Sequence, residues 1–455
     1  MKVVKAKDLD ENFFASPVRR EASQVKEILA AVREKGDRAI SRYTEIFDGV
    51  RLQSFRIKPA EIRRAGGNMK EPLKSAVEFA ASNIRKFAQK QLSQFKDFEY
   101  EVQPGVFCRQ RVVPLDRVGV YVPGGRFPLF SSLLMGVIPA QVAGVREIAV
   151  CSPPSHLGSV HPSVLGVASL LGIKEIYSIG GVQAIGALAY GTETIQKVDK
   201  IVGPGNRFVA LAKKEVFGET GIDLPAGPSE IVILADQNAN PRFLAADLLA
   251  QAEHDLDAVC ILITDSQKIA EKVLQEIHRQ LALLPTAAVA EMSLKKNGRI
   301  ILVESLEEAV SICNRKAPEH LEIHARNRSR LEKKLRHFGT LFSGEWALEV
   351  LGDYSSGLNH ILPTGSSARY SSGLSVQDFV RLQTTLQVRS DGIRRIVPAA
   401  RIIADGEGLF AHAASVNLRL QAVSGEKAAK RSGAGFSRGL RPGPERKTVP
   451  AKKRL

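Results

Sequence analysis

The sequence predicts an α/β fold in which two parallel sheets are each covered by helices. Three observations carry that expectation. Beginning near Arg117, short β-rich runs alternate with helical runs, the order that βαβ units require. The turns that end these strands are rich in glycine and lead directly into helices, as at Pro123-Gly124-Gly125, Gly180-Gly181 and Gly203-Pro204-Gly205-Asn206. The alternation resumes at Glu230 and continues to about Phe342, making a second unit of the same Rossmann-like kind, although no sequence repeat relates the two.

Taken in order, residues 1–20 have no strong periodicity and read as an N-terminal arm. Between 21 and 47, Val25, Ile28, Leu29, Val32 and Ile40 fall on one helical stripe. A second long helix is expected over 72–90, through Ala76, Phe79, Ala80, Ile84 and Phe87. Strands follow at 118–122, 147–151, 175–179 and 200–202, with helices between them and after the last. The second set of strands is expected at 230–235, 259–264, 299–303, 321–324 and 340–342. Its first helix opens at Pro241, and proline suits a first helical turn. Residues 376–421 read as mostly helical and are too few to bury a core alone, so they should dock elsewhere. The resulting division is an arm at 1–20, a first α/β domain at 21–117 and 230–375, a second at 118–229, a small C-terminal helical domain at 376–421, and a tail at 422–455.

Composition narrows the class of function. Hydrophobic residues at 44% and charged residues at 25% describe an ordinary globular chain. No apolar run reaches the length that spans a bilayer, and the first residues lack the apolar core of a signal peptide. Four cysteines without paired spacing, Cys108, Cys151, Cys260 and Cys313, suit reduced thiols in the cytoplasm. The net charge of +16 raises a nucleic-acid reading. Half of it, however, lies in residues 426–455, where ten Lys or Arg stand against two Glu. That segment has few large apolar residues and reads as a disordered appendage, and the folded part offers no nucleic-acid motif.

Polar clusters mark the candidate chemistry. At the end of the helix that begins at Pro241, Gln251 and His254 stand three apart and leave the same side, with Glu253 and Asp257 nearby. An amide oxygen, an imidazole and carboxylates could hold a divalent metal such as zinc, and a solvated helix end is the alternative. Glu319 and His320 stand side by side just before a strand. Residues 352–360 form a long loop with Asp353 and His360, and such loops are often functional. Glu407 and His412 lie near the end of the folded part. The glycine turns expose N–H groups at helix starts, where phosphate binds readily, although the Gly-x-Gly-x-x-Gly fingerprint is absent.

Seven motifs, in this order and spacing, resemble the histidinol dehydrogenase family. They are Gly119-Val120-Tyr121-Val122-Pro123-Gly124-Gly125, Gly203-Pro204-Gly205-Asn206, Ala226-Gly227-Pro228-Ser229-Glu230, the stretch 247–254, Pro318-Glu319-His320-Leu321, Gly352-Asp353-Tyr354 with Asn359-His360, and the stretch 372–379. The resemblance runs from about residue 21 to 421. It implies an enzyme that uses zinc and NAD to oxidise L-histidinol to L-histidine through an aldehyde, and a homodimer whose C-terminal segment crosses to the partner. Position by position, it assigns zinc to Gln251, His254, Asp353 and His412, and catalysis to Glu319 and His320. Substrate contacts would be Ser229, His360 and Glu407, together with His320 and the metal ligands. NAD contacts would be Tyr121, Gln183 and Asn206. Asp255 stands where the family usually has glycine, Arg126 and its neighbours replace Ala-x-Tyr-Pro, Gly136 replaces the asparagine of Met-Asn, and the tail after Gln421 has no counterpart. Another small polyol is the alternative substrate.

Overall fold

The computed structural model describes residues 1–14, 22–124, 127–155, 158–224 and 227–432. Gly125, Arg126, Ala226 and the part of the expected tail at 433–455 lie outside the described residues. The chain opens with β1 (Lys2–Lys5), α1 (Glu11–Phe14), α2 (Ala22–Lys35), α3 (Asp37–Asp48), α4 (Pro59–Gly67) and α5 (Leu73–Leu92). Two strands follow, β2 (Phe98–Gln103) and β3 (Val106–Pro114). The first alternation is β4 (Arg117–Tyr121), α6 (Phe130–Ala143), β5 (Glu147–Ser152), α7 (Pro162–Leu170), β6 (Glu175–Ser178), α8 (Gly181–Tyr190), β7 (Lys200–Val202), α9 (Arg207–Val216) and β8 (Gly221–Ile222). The second begins β9 (Glu230–Ala235), α10 (Pro241–Ala252), β10 (Val259–Thr264), α11 (Gln267–Leu281), α12 (Ala287–Asn297) and β11 (Arg299–Leu302). It continues α13 (Leu306–Lys316), β12 (His320–His324), α14 (Arg328–Glu332), β13 (Thr340–Ser343) and α15 (Glu349–Tyr354), and the chain closes with β14 (Val380–Val388), α16 (Ser390–Gly406) and α17 (Phe410–Ser432).

Two compact units result. The first comprises Met1–Phe95 and Val113–Arg381 and holds both parallel sheets. One sheet has six strands in the order β1-β11-β10-β9-β12-β13, the other five in the order β6-β5-β4-β7-β8. Strand residues alternate between the two faces of a sheet, so each sheet feeds two cores. Ile231, Ile233, Leu262 and Ile300 join α10, α11 and α12 on one face of the six-stranded sheet. Val232, Leu234, Ile261 and Ile323 join α13 on the other. With both faces covered, these strands are near-continuous apolar runs.

In the first unit the structure revises the sequence reading in five places. The N-terminal arm is a sheet edge: β1 pairs in parallel with β11, and Phe13 and Phe14 cover the six-stranded sheet. Four residues of lysine and valine are too short for periodicity, and charge is usual on an edge. Helices α2 to α5, grouped above with the six-stranded sheet, pack on the five-stranded one. An apolar stripe states that a face is covered, not by which sheet. The expected helix at 21–47 breaks at Gly36, whose φ is +50°. On α5 the buried face is Val77, Ala80, Ile84 and Ala88, leaving Phe79 and Phe87 exposed. Lastly, Asp353 lies on the helix α15 rather than in a loop.

The second unit comprises Lys96–Val112 and the chain from Leu382 onward. It is not purely helical, because β14 joins β3 and β2 in a three-stranded sheet. The hairpin turn at Gly105 accepts a hydrogen bond from the Arg389 N–H at 2.7 Å, just before α16. Helix α17 continues to Ser432, so residues 422–432 are helical where a disordered tail is expected. Among the described residues no helix is long and apolar enough to cross a membrane.

Candidate active site

Both parallel sheets of the first unit contribute to one pocket. The five-stranded sheet presents Ser131 and Ser132 at the start of α6 and Pro204 after β7. The six-stranded sheet presents Ser229 before β9, and Glu319 and His320 where β12 begins. His254 follows the end of α10, and Glu349 and Asp353 come from α15.

His320 stands in the middle of the polar groups. Its Nδ1 lies 3.1 Å from Gln251 Oε1 and 3.6 Å from Glu349 Oε1, while its Nε2 lies 3.7 Å from Asp353 Oδ1. Burial, followed by the nearby His254 and His360, pushes its pKa down to about 3. The ring is therefore neutral near pH 7 and can accept a proton. Glu319 is buried, and its Oε2 accepts a hydrogen bond from the Glu230 N–H at 2.9 Å. Burial raises its pKa well above the usual carboxylate range, and the charges of Glu230 and Asp353 push it the same way. His360 bridges the Asp353 carbonyl, 2.9 Å from Nδ1, and the Ser132 hydroxyl, 3.3 Å from Nε2. That pairing assigns the ring proton to Nδ1, since a carbonyl only accepts. Burial lowers the His360 pKa to about 4.

His254, Glu349 and Asp353 each offer a ligand atom, all within 4.8 Å of one another. Burial raises the Asp353 pKa to about 6, against the attraction of His254. A second acidic group, Asp247, Glu322 and His324, lies buried nearby. It satisfies itself: His324 Nε2 lies 3.2 Å from Glu322 Oε2, and Glu322 Oε1 accepts from the Glu349 N–H at 2.9 Å. Its visible work is to pin the start of α15. Gln251 is fully buried next to His320, and its Nε2 has no partner.

The residues expected to contact NAD lie at the carboxyl end of the five-stranded sheet, where ligands of open α/β sheets usually bind. Tyr121 ends β4, and its hydroxyl accepts from the Gly181 N–H at 3.1 Å, at the start of α8. Gln183 is buried, and its Oε1 has no hydrogen-bond partner. Asn206 caps α9, its Oδ1 accepting from the N–H groups of Phe208 and Val209 at 3.1 Å each. Gly203 adopts φ +119°, and a Cβ there would lie 2.1 Å from the Tyr121 carbonyl oxygen, so this turn requires glycine. A buried ion pair clamps the turn: Lys213 Nζ contacts Asp223 and donates to the Gly203 carbonyl at 2.9 Å, while Asp223 Oδ2 accepts from the Gly203 N–H at 2.8 Å.

The structure thus brings Ser229, His254, Glu319, His320, Asp353 and His360 into one pocket, with Gln251 beside His320. Glu407 and His412 lie in the second unit, both exposed. Sequence reasoning missed Glu349. Its signal was present as a carboxylate four residues before Asp353, the spacing that puts both on one side of a helix.

Comparison with known proteins gives the family of the chain. A family model of histidinol dehydrogenase matches residues 15–420. The histidinol dehydrogenase of Geobacillus kaustophilus is 47% identical over 397 residues, covering 87% of this chain and 93% of the relative. The chain belongs to the histidinol dehydrogenase family. Histidinol dehydrogenase 1 of Nostoc sp. is 46% identical over 410 residues, covering 89% and 94% of the two chains. The crystal structure of histidinol dehydrogenase from Elizabethkingia anophelis superposes with a TM-score of 0.87 at 39% identity, covering 93% of this chain and 99% of that one. As a histidinol dehydrogenase, the chain is an oxidoreductase of histidine biosynthesis. Two departures from the family pattern have structural settings. Asp255 is exposed, and its Oδ1 accepts from the Asp257 N–H at 2.8 Å, closing the turn after α10. Gly136 lets α6 lie close on β4, since a Cβ would come within 2.6 Å of Val120 Cγ1.

Proposed function

We propose that the chain catalyses the four-electron oxidation of L-histidinol to L-histidine, the last step of histidine biosynthesis, in the cytoplasm. The observation that carries this reading is the neutral, buried His320, whose Nε2 has no hydrogen-bond partner in a pocket that also holds Glu319. His320 takes the alcohol proton at Nε2 as hydride leaves carbon for NAD, giving the aldehyde, NADH and one proton. Glu319 then removes a proton from water as it adds to the aldehyde. A second hydride passes to another NAD, leaving the carboxylate, NADH and two protons. Glu319 does this from its ionised form: burial raises its pKa, so the carboxylate, once it has given up its proton, is a stronger base than an exposed glutamate.

The donor set fits zinc: an imidazole and carboxylates within reach of one another, with Asp353 Oδ1 buried and unpaired. Gln251, His254, Asp353 and His412 of the partner subunit would hold it. Bound zinc would orient the amine and imidazole of the substrate and carry no electrons. Ser229, His360 and Glu407 of the partner subunit complete the substrate contacts. Tyr121, Gln183 and Asn206 receive NAD, and the unpaired Gln183 Oε1 and the Gly203 turn suit a ligand lying against the sheet end. A homodimer is supported by the exposed apolar side chains of the second unit, among them Ile402, Ile403 and Phe410 at 71%, 62% and 73%.

The test follows NADH formation from L-histidinol with and without a chelator. Two NADH per histidinol are expected with little free aldehyde, and activity lost to the chelator should return with zinc. Oxidation of another diol but not of histidinol would overturn the substrate.

A further inference from the structure

Glu319 is held from both neighbouring strands. Its backbone carbonyl accepts from the Thr340 N–H of β13 at 2.9 Å, and its side-chain Oε2 accepts from the Glu230 N–H of β9 at 2.9 Å. Glu230 is the first residue of β9, and its own side chain is buried. Burying a carboxylate is costly unless it is paired. Here Oε1 accepts from the Gly365 N–H, and Oε2 lies 3.6 Å from Lys316 Nζ. Lys316 ends α13, and Ala317, at φ +50°, turns the chain between it and the motif that carries Glu319. The Lys316 ammonium also donates to the Phe13 carbonyl at 3.4 Å. The turn at 364–366 closes the bracket. Ser366 sits at φ +66°, uncommon for a residue other than glycine, and its hydroxyl donates to the Lys316 carbonyl at 2.8 Å. Thr364 Oγ1 accepts from the Gly227 N–H, so this turn holds the 227–230 stretch at both ends, with Ser229 facing the pocket between them.

We infer that Glu230, fixed by Lys316 and the 364–366 turn, is a positioning residue for the second oxidation: it holds the Glu319 carboxylate where that group takes the proton of the attacking water. The inference rests on the reading of Glu319 above and deepens it. In that step the water oxygen bonds to the aldehyde carbon and its proton goes to Glu319. The resulting hydrate then gives up hydride to the second NAD. Fixing Oε2 to the Glu230 N–H leaves the other carboxylate oxygen for the water. The first oxidation draws instead on His320, whose Nδ1 faces Gln251 Oε1 of α10 at 3.1 Å. Loosening the bracket therefore delays water more than the first hydride, and the aldehyde escapes.

The test follows the two half-reactions separately in the full-length, zinc-loaded protein. Stopped-flow NADH formation from L-histidinol reads the first hydride transfer, and steady-state oxidation of the supplied aldehyde reads the second. Glu230→Gln keeps an acceptor for the Gly365 N–H but removes the charge that pairs with Lys316. It should slow aldehyde oxidation about tenfold more than it slows the first transfer, through kcat rather than KM, and an aldehyde trap should capture intermediate during turnover. Lys316→Met should do the same and Lys316→Arg should restore the parent ratio, and this pair carries the test if Glu230→Gln fails to fold. Equal slowing of the two half-reactions, or slowing of neither, would assign the bracket to folding alone and overturn the inference. Glu319→Gln is the reference. If it oxidises the aldehyde at the parent rate, the reading of Glu319 falls and this inference falls with it.

Discussion

His320 Nδ1 and Gln251 Oε1 lie 3.1 Å apart, both side chains buried. An amide oxygen only accepts, so the neutral ring carries its proton on Nδ1 and leaves the Nε2 lone pair free. Nε2 has no hydrogen-bond partner, which makes it the nitrogen available to take the substrate proton. Gln251 therefore sets the tautomer of the proposed base in addition to any contact with metal.

His320→Ala should lower kcat by about a hundredfold or more, the usual scale for a lost general base, while zinc content stays at the parent level. Stopped-flow NADH formation measures it. Near-normal turnover at neutral pH would remove His320 from the role.

Much of this arrangement was legible in the sequence. Glu319 and His320 stand out because a carboxylate beside an imidazole at a strand start is a local pattern, and β12 does begin at His320. Gln251 and His254 are legible for the same reason, three apart at a helix end. Glu349 is not, because the glycine- and serine-rich sequence around Asp353 reads as a loop, which hides the helical spacing. Strands β2 and β14 are mostly exposed and β3 is mostly half-buried, so no continuous apolar run marks them, although β2 does alternate Phe98, Tyr100 and Val102 with Glu99, Glu101 and Gln103. Nor could the periodicity of α2 to α5 state which sheet they cover. That depends on shape matching between distant segments, such as Gly186 admitting Leu29 and Val32.

Stability of the metal-free protein should fall as pH rises from 6.5 to 8. Burial, followed by Glu322, lifts Asp247 to about 8, so across this window the fold holds a proton that the unfolded chain has released; burial lifts Asp353 only to about 6, so it adds to the decline at the lower end alone. A raised acid contributes stability that is complete below its unfolded pKa and lost as pH climbs through its folded pKa. His320 and His360, lowered to about 3 and 4, act with the opposite sign only below about 6.5, where the unfolded imidazoles charge. Thermal melts of the metal-free protein at pH 6.5 and 8 test the window. Asp247→Asn should flatten the decline. A flat or rising melting temperature in the metal-free parent would contradict this account.

Lys213→Met should harm both the fold and the nucleotide side of the site. Lys213 and Asp223 are buried at 1% and 0% side-chain exposure, and the variant leaves Asp223 without its cation. Breaking a buried pair in this way costs about 3–5 kcal/mol, measurable by urea denaturation. The lost hydrogen bond to the Gly203 carbonyl should loosen the turn and raise KM for NAD more than KM for histidinol. The double variant Lys213→Met with Asp223→Leu should recover most of the stability but not the NAD affinity. Unchanged KM for NAD in both variants would show that the clamp serves folding only.

The final prediction concerns how many chains build one site. Glu407 and His412 are exposed on the second unit, at the end of α16 and in the first turn of α17, among apolar side chains such as Phe410 and Leu418 that a single chain leaves in water. If these two residues serve the neighbouring subunit, lesions on opposite sides of the shared site should complement. A His412→Ala chain is mixed with a His320→Ala chain, each inactive alone, under conditions that exchange subunits. In a mixed dimer one site has both lesions and the other has neither. Random mixing makes about half of the dimers mixed, each with one intact site, so about a quarter of the parent activity should return, as a two-fold symmetric assembly requires. Exchange itself is checked with differently labelled chains. Verified exchange without any returning activity would mean that each site is complete within one chain.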